Sequence, residues 1–139
     1  MVNEAGAWSW RQLFTRDPEG AKAFYGAVFG WDTQAFGEGD GAVTMWRVPG
    51  FVGGEPEQPV LRDVVAGMAA MTPDQFPAGT LPHWRIDFWV DDVDATVARA
   101  TELGGRPVVP AYDTPISRQA VLADPQGAVF SVSRVTVGE

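Results

Sequence analysis

Asp17 and Asp92 lie 75 residues apart, and so do Ala23 and Ala98, and Gly30 and Gly105. Each aspartate precedes a stretch with apolar residues at helical spacing, and each glycine follows it. An aspartate before such a stretch is a helix N-cap, because its carboxylate accepts from the exposed amides of the first turn. A glycine after it is a terminator. The two stretches therefore predict two helices of equal length with the same start and stop chemistry. Leu13 and Phe14 stand in the same relation to Phe88 and Trp89, so the repeat extends into a strand before each helix. A chain that repeats strand, helix and strands in one order is constrained to two copies of one supersecondary unit.

In the first copy a strand is expected over 10–15, then a helix capped by Asp17 with Pro18 at its first position, where a missing N–H costs nothing. Ala21, Phe24, Tyr25, Val28 and Phe29 form one apolar face of that helix. Strands follow over 31–36, 42–48 and 62–71, with a turn at 37–41 and a loop over 49–59. In the second copy a strand over 83–90 leads to a helix capped by Asp92, with Val93, Val97, Ala100 and Leu103 on its apolar face. Gly104 and Gly105 end it. Strands are expected over 106–110, 117–123 and 128–135. Asp124-Pro125-Gln126-Gly127 reads as a type I turn, with Pro at its favoured second place. The organisation is thus one domain of two βαβββ modules, about 8–71 and 83–135, joined by a Pro-rich linker over 72–82.

Three stretches carry a family resemblance. They are Asp17-Pro18-Glu19-Gly20-Ala21-Lys22-Ala23-Phe24-Tyr25-Gly26-Ala27-Val28-Phe29-Gly30-Trp31, then Val90-Asp91-Asp92-Val93-Asp94-Ala95 running on to Leu103-Gly104-Gly105, then Asp124-Pro125-Gln126-Gly127-Ala128-Val129-Phe130-Ser131. In this order and spacing the chain resembles the vicinal-oxygen-chelate superfamily of glyoxalases, bleomycin-resistance proteins and dioxygenases. The resemblance implies an α+β fold, two βαβββ modules paired around a shared cleft, with helices on the outer faces. Metal-containing members place His or Glu on the cleft side of the first and last strand of each module. Carried over, those positions fall on Trp10, on Gly67 or Met68, on Arg85 and on Ser131. None suits a divalent cation: tryptophan and glycine offer no side-chain donor pair, arginine repels a cation, and serine alone is a poor ligand. The chain has one histidine and no cysteine, so a two-His-one-carboxylate triad cannot form in one subunit. No metal and no other cofactor is expected.

Strand alternation places side chains on faces. Ile86, Phe88 and Val90 should face the helices. His83, Arg85, Asp87 and Trp89 share the opposite side, as do Trp8, Trp10, Gln12 and Phe14, and Val129, Ser131 and Ser133. The expected ligand-lining set is Trp10, Gln12, Arg85, Asp87, Trp89 and Ser131. Arg85 and Asp87 fit an i,i+2 structural ion pair as well as a ligand contact. His83 reads as a hydrogen-bonded structural residue. Asp91 and Asp94 read as partners of the helix dipole.

Ten basic against eighteen acidic residues give a net charge of −8, which opposes binding to nucleic acid or anionic lipid. No apolar run approaches the roughly 20 residues of a membrane span, and no signal peptide is legible, so a cytoplasmic protein is expected. Six tryptophans and eight phenylalanines suit either core packing or an aromatic cleft. Two functions remain open. One is binding of a small, flat or aromatic molecule by a resistance or accessory factor. The other is a metal-independent isomerase, lyase or cyclase, with Asp87 or His83 as general base and Arg85 stabilising an oxyanion. A metal-dependent dioxygenase or glyoxalase ranks third. Half-modules able to pair in cis or in trans make a homodimer the expected assembly.

Overall fold

Both predicted N-caps form. Asp17 Oδ1 accepts the Gly20 N–H at 2.9 Å, and Asp92 Oδ1 accepts the Ala95 N–H at 2.9 Å. The computed structural model describes residues 5–36, 43–53, 61–74, 76–115 and 117–136. The expected turn at 37–41 and part of the expected loop over 49–59 fall outside them. The elements are β1 (Trp8–Thr15), α1 (Pro18–Phe29), β2 (Asp32–Phe36), β3 (Val43–Arg47), β4 (Val64–Ala70), β5 (His83–Trp89), α2 (Val93–Glu102), β6 (Arg106–Asp113), β7 (Ser117–Ala123) and β8 (Val129–Val135). The fold is α+β and repeats βαβββ. Two compact units divide it, one of residues 11–84 and one of residues 1–10 with 85–139.

In the unit of residues 11–84 the strand order is β2-β3-β4-β1. β1 runs parallel to β4, with Gln12 opposite Gly67 and Leu13 opposite Met68. Leu13, Trp46, Ala66 and Met68 are buried together, with Ala21, Tyr25 and Trp31 packed on them. Each such large apolar side chain contributes about 1.5–3 kcal/mol on burial. The apolar face of α1 is narrower than its spacing predicts. Ala21 and Tyr25 reach the core, whereas Phe24, Val28 and Phe29 are exposed. The physical reason is the aromatic collar around Tyr25: its ring lies 5.9 Å from Trp31, 5.5 Å from Trp46 and 5.5 Å from Trp84, centroid to centroid. Once these rings fill the space under the helix, its flanking residues stay outside.

In the other unit the order is β5-β8-β7-β6. β5 runs parallel to β8, and the remaining pairs are antiparallel. Gly6 N donates to Trp89 O and Trp89 N to Ala7 O, so residues 6 and 7 are hydrogen-bonded to the end of β5. Val93, Ala120, Leu122 and Val132 form the buried cluster, with Phe88, Val90, Val97 and Ala100 against it. The expected helix-facing side of β5 is therefore correct at Phe88 and Val90. Leu103 is an exception to the expected helical face: it is the C-cap and is exposed.

The two helices are not equal in length. α1 has 12 residues and α2 has 10. Gly30 closes α1 at φ 70°, its N–H donating to Gly26 O at 2.9 Å. In α2 the left-handed residue is Gly104, at φ 94°, and Gly105 donates to Ala100 O at 2.9 Å, which is a Schellman closure. Gly105 is needed for a different reason from its repeat partner Gly30: a Cβ there would lie 2.8 Å from Ala123 O. The Asp124–Gly127 turn forms as expected, with Gly127 N donating to Asp124 O at 2.9 Å and Asp124 Oδ1 accepting from Gln126 N and Ala128 N.

Candidate ligand-binding face

α2 packs on one side of the sheet of β5, β8, β7 and β6, and the polar side chains of its strands lie on the other. Register puts these in two cross-strand rows. One row runs Asp87, Ser131, Val121, Val109, and the next runs Trp89, Ser133, Gln119, Tyr112. The second row has an aromatic ring at each end and two hydrogen-bonding groups between. Ser131 Oγ donates to Asp87 Oδ1 at 2.7 Å, and Ser133 Oγ donates to Asp87 Oδ2. Asp87, Ser131 and Ser133 are 8%, 5% and 7% exposed, so this carboxylate has been taken out of water and given hydroxyl donors in exchange. That exchange is the condition for keeping a buried charge.

Along the second row Tyr112 Oη donates to Gln119 Oε1 at 3.0 Å, and Gln119 Nε2 donates to Ser117 Oγ at 2.8 Å. Arg85 lies two residues before Asp87 on the same side of the pleat. Burial pulls the Arg85 guanidinium below its ordinary range, opposed by its electrostatic pairing with Tyr112 and Asp87. Burial pushes the Tyr112 phenol up, with Arg85 acting against that. Arginine starts so high that it stays a cation. The face therefore presents one buried carboxylate, one half-buried guanidinium and two aromatic rings.

Five of the six residues singled out from sequence fall in this unit: Trp10, Arg85, Asp87, Trp89 and Ser131. Asp87 and Ser131 are bonded directly, and Trp89 is the register partner of Ser133. Gln12 belongs to the other unit, where it pairs with Gly67. His83 is also there: its Nδ1 lies 2.9 Å from Leu81 O and its ring stacks on Phe14 at 5.3 Å, which is the structural role expected of it. Asp94 does more than face the helix dipole. It takes a two-pronged bond from Arg118, 2.8 Å from Nε and 2.8 Å from Nη2, while Arg118 Nη1 reaches Asp113 at 3.0 Å. That clamp ties the start of α2 to the β6–β7 hairpin.

Sequence reasoning missed Tyr112 and Gln119. β6 was expected to stop at 110, but it runs to Asp113 with register shifts between Pro107 and Val109 and between Val109 and Tyr112. Bulges break the period of two, so alternation could not assign Tyr112 to a face. Ser133 had a legible signal, since it shares the side of Ser131.

Register places Gly67 opposite Gln12 as it places Ser131 opposite Asp87, and Met68 points into the helix-side core. The choice between Gly67 and Met68 therefore resolves to Gly67. Trp10, Gly67, Arg85 and Ser131 do not fit a divalent cation: the only oxygen among their side chains belongs to Ser131, whose proton is committed to Asp87. Among the described residues no group of three or more His, Cys, Asp or Glu side chains could hold a metal.

Residues 8–133 match the glyoxalase-like domain family. The chain belongs to that family and, with its fold, to the glyoxalase/bleomycin-resistance/dioxygenase superfamily. It is 36% identical over 135 residues to CFP32 of Mycobacterium tuberculosis, which carries a provisional glyoxylase name; the match covers 95% of this chain and 45% of that protein. It is 36% identical over 128 residues to the anthracycline biosynthesis protein DauV of Streptomyces sp. (strain C5), covering 91% of this chain and 41% of DauV. The chain thus spans less than half the length of these relatives. Among solved structures it resembles methylmalonyl-CoA epimerase from Mycobacterium tuberculosis, at 17% identity and a TM-score of 0.56, over 96% of this chain and 90% of the epimerase. At that identity the likeness shows the fold alone. No helix among the described residues is long and apolar enough to cross a membrane.

Proposed function

We propose that this chain binds a small, flat aromatic molecule without a divalent metal or other cofactor, as a cytoplasmic resistance or accessory factor. The observation that carries the reading is the Asp87–Ser131–Ser133 cluster, set beside Arg85 on a face whose second row ends in Trp89 and Tyr112. Aromatic walls with a few convergent polar groups are how small-molecule sites combine affinity with orientation. Trp10 completes the proposed contact set with Arg85, Asp87, Trp89 and Ser131, while Gln12, the sixth residue expected from sequence, belongs to the other unit. The name of DauV, a protein of anthracycline biosynthesis, supports a polycyclic aromatic ligand. The working form is proposed to be a homodimer, tested by sedimentation: a species of twice the 15.0 kDa chain mass supports it, and a monomer alone at micromolar concentration overturns it.

A second reading is a metal-independent isomerase or lyase. The buried Asp87 beside the Arg85 cation favours it, since a carboxylate base and an oxyanion partner are what proton abstraction next to a carbonyl needs. His83, fixed against Leu81 O and Phe14 in the other unit, is a weaker base candidate. The deciding experiment is isothermal titration with a library of polycyclic phenols and quinones, followed by chromatography of the recovered compounds. Saturable binding with unchanged ligand supports the binding reading. Conversion of the ligand overturns it in favour of the enzyme, and no binding across the library overturns both.

A further inference from the structure

Hydroxyl groups can both donate and accept, so their roles toward a ligand depend on where their protons already point. On this face the protons are committed. Ser131 and Ser133 each spend their single O–H on Asp87, and Tyr112 spends its own on Gln119 Oε1. A hydroxyl that has donated keeps only lone pairs. Ser131 Oγ, Ser133 Oγ and Tyr112 Oη are thus acceptors toward anything laid on the face. The negative charge of Asp87 polarises both serines and strengthens them in that role. The serines are only 5% and 7% exposed, which restricts any group that meets them to one as small as a single hydroxyl.

We infer that the ligand donates to this cluster through a phenol-type hydroxyl, its ring lying along the row between Trp89 and Tyr112. The inference rests on the binding reading above and adds its polarity: the face selects donors and rejects the same ring when its hydroxyl is capped. An alkyl ether places lone pairs against lone pairs and desolvates the serines without replacing their water.

The test is titration calorimetry with β-naphthol, its methyl ether and naphthalene, which share one ring system and differ only in the donor. β-Naphthol is expected to bind at least tenfold more tightly than the ether, about the worth of one hydrogen bond to a polarised acceptor. In Asp87→Asn the side-chain amide donates to one serine and frees a hydroxyl proton, so the preference should shrink severalfold. Ser133→Ala, a milder change, should shrink it too, with near-ultraviolet circular dichroism checking the fold of both variants. Equal binding of β-naphthol and its ether to the native protein overturns the inference while leaving the binding reading standing. Binding of none of the three overturns both.

Discussion

Asp87 and Ser131 are joined twice. Their backbones are register partners across the parallel β5–β8 pair, and the Ser131 hydroxyl donates to the Asp87 carboxylate at 2.7 Å. With Ser133 on the second carboxylate oxygen, the polar cluster also staples the strand before α2 to the last strand of the chain. Any ligand role for Asp87 is therefore superimposed on a structural one, and variants must be judged on both.

Ser131→Ala should lower unfolding free energy by about 1.5–3 kcal/mol, because it leaves a buried carboxylate one donor short. The double variant Asp87→Ala/Ser131→Ala should cost less than the sum of its single changes, since each single change strands a partner. Urea unfolding of the four proteins measures the coupling. Strict additivity would show that the cluster is not a unit.

Arg85→Ala should weaken β-naphthol binding about tenfold while shifting Tm by less than ~4 °C. A guanidinium whose main work is ligand contact stabilises the complex more than the fold. The opposite result, a large fall in Tm with unchanged affinity, would assign Arg85 to the structural pairing with Asp87.

Acid stability should depend on Asp63 and Asp94. The Arg47 hydrogen bond holds the Asp63 carboxyl below the usual aspartate range, and the Arg118 hydrogen bond does the same for Asp94. A carboxyl lowered on folding contributes stability that is complete above the unfolded value of about 3.9 and is lost as pH falls through the folded value. The stability gap between native protein and Asp94→Asn should be constant near neutrality and close below about pH 4. A gap that widens on acidification would contradict the assigned direction.

Protein purified without chelator should carry far less than one zinc, iron or manganese per chain by elemental analysis, because the inherited positions lack donors. A ratio near one, lost on dialysis against EDTA together with ligand binding, would return the chain to the metal-dependent branch of its family.

Gly30→Ala and Gly105→Ala occupy equivalent repeat positions and should fail differently. Gly30→Ala strains only the left-handed backbone and should cost about 1–2 kcal/mol. Gly105→Ala drives a Cβ against the Ala123 carbonyl, which is backbone and cannot swing away, so a larger loss is expected. Comparison of the two thermal midpoints checks the order.

The repeat, the element order and the caps at Asp17 and Asp92 were legible in the sequence because they rest on local chemistry: a carboxylate before a helix, a glycine after it, apolar residues at a fixed period. The faces of β5 and β8 followed from the same periods, and the α+β class was what the family resemblance carried by these stretches implied. Local chemistry could not show that Asp87 would be held by Ser131 and Ser133, which are 44 and 46 residues away. Parallel pairing fixes that register, and register is a property of the assembled sheet. Tyr112 joined the face only because bulges in β6 reset its alternation. Phe24, Val28 and Phe29 stayed outside because Trp31, Trp46 and Trp84 had already filled the ground beneath α1. The sequence alone determined where the two helices lie and which side of β5 and β8 is apolar; only tertiary packing decided which polar groups meet, since that depends on strands brought together from distant parts of the chain.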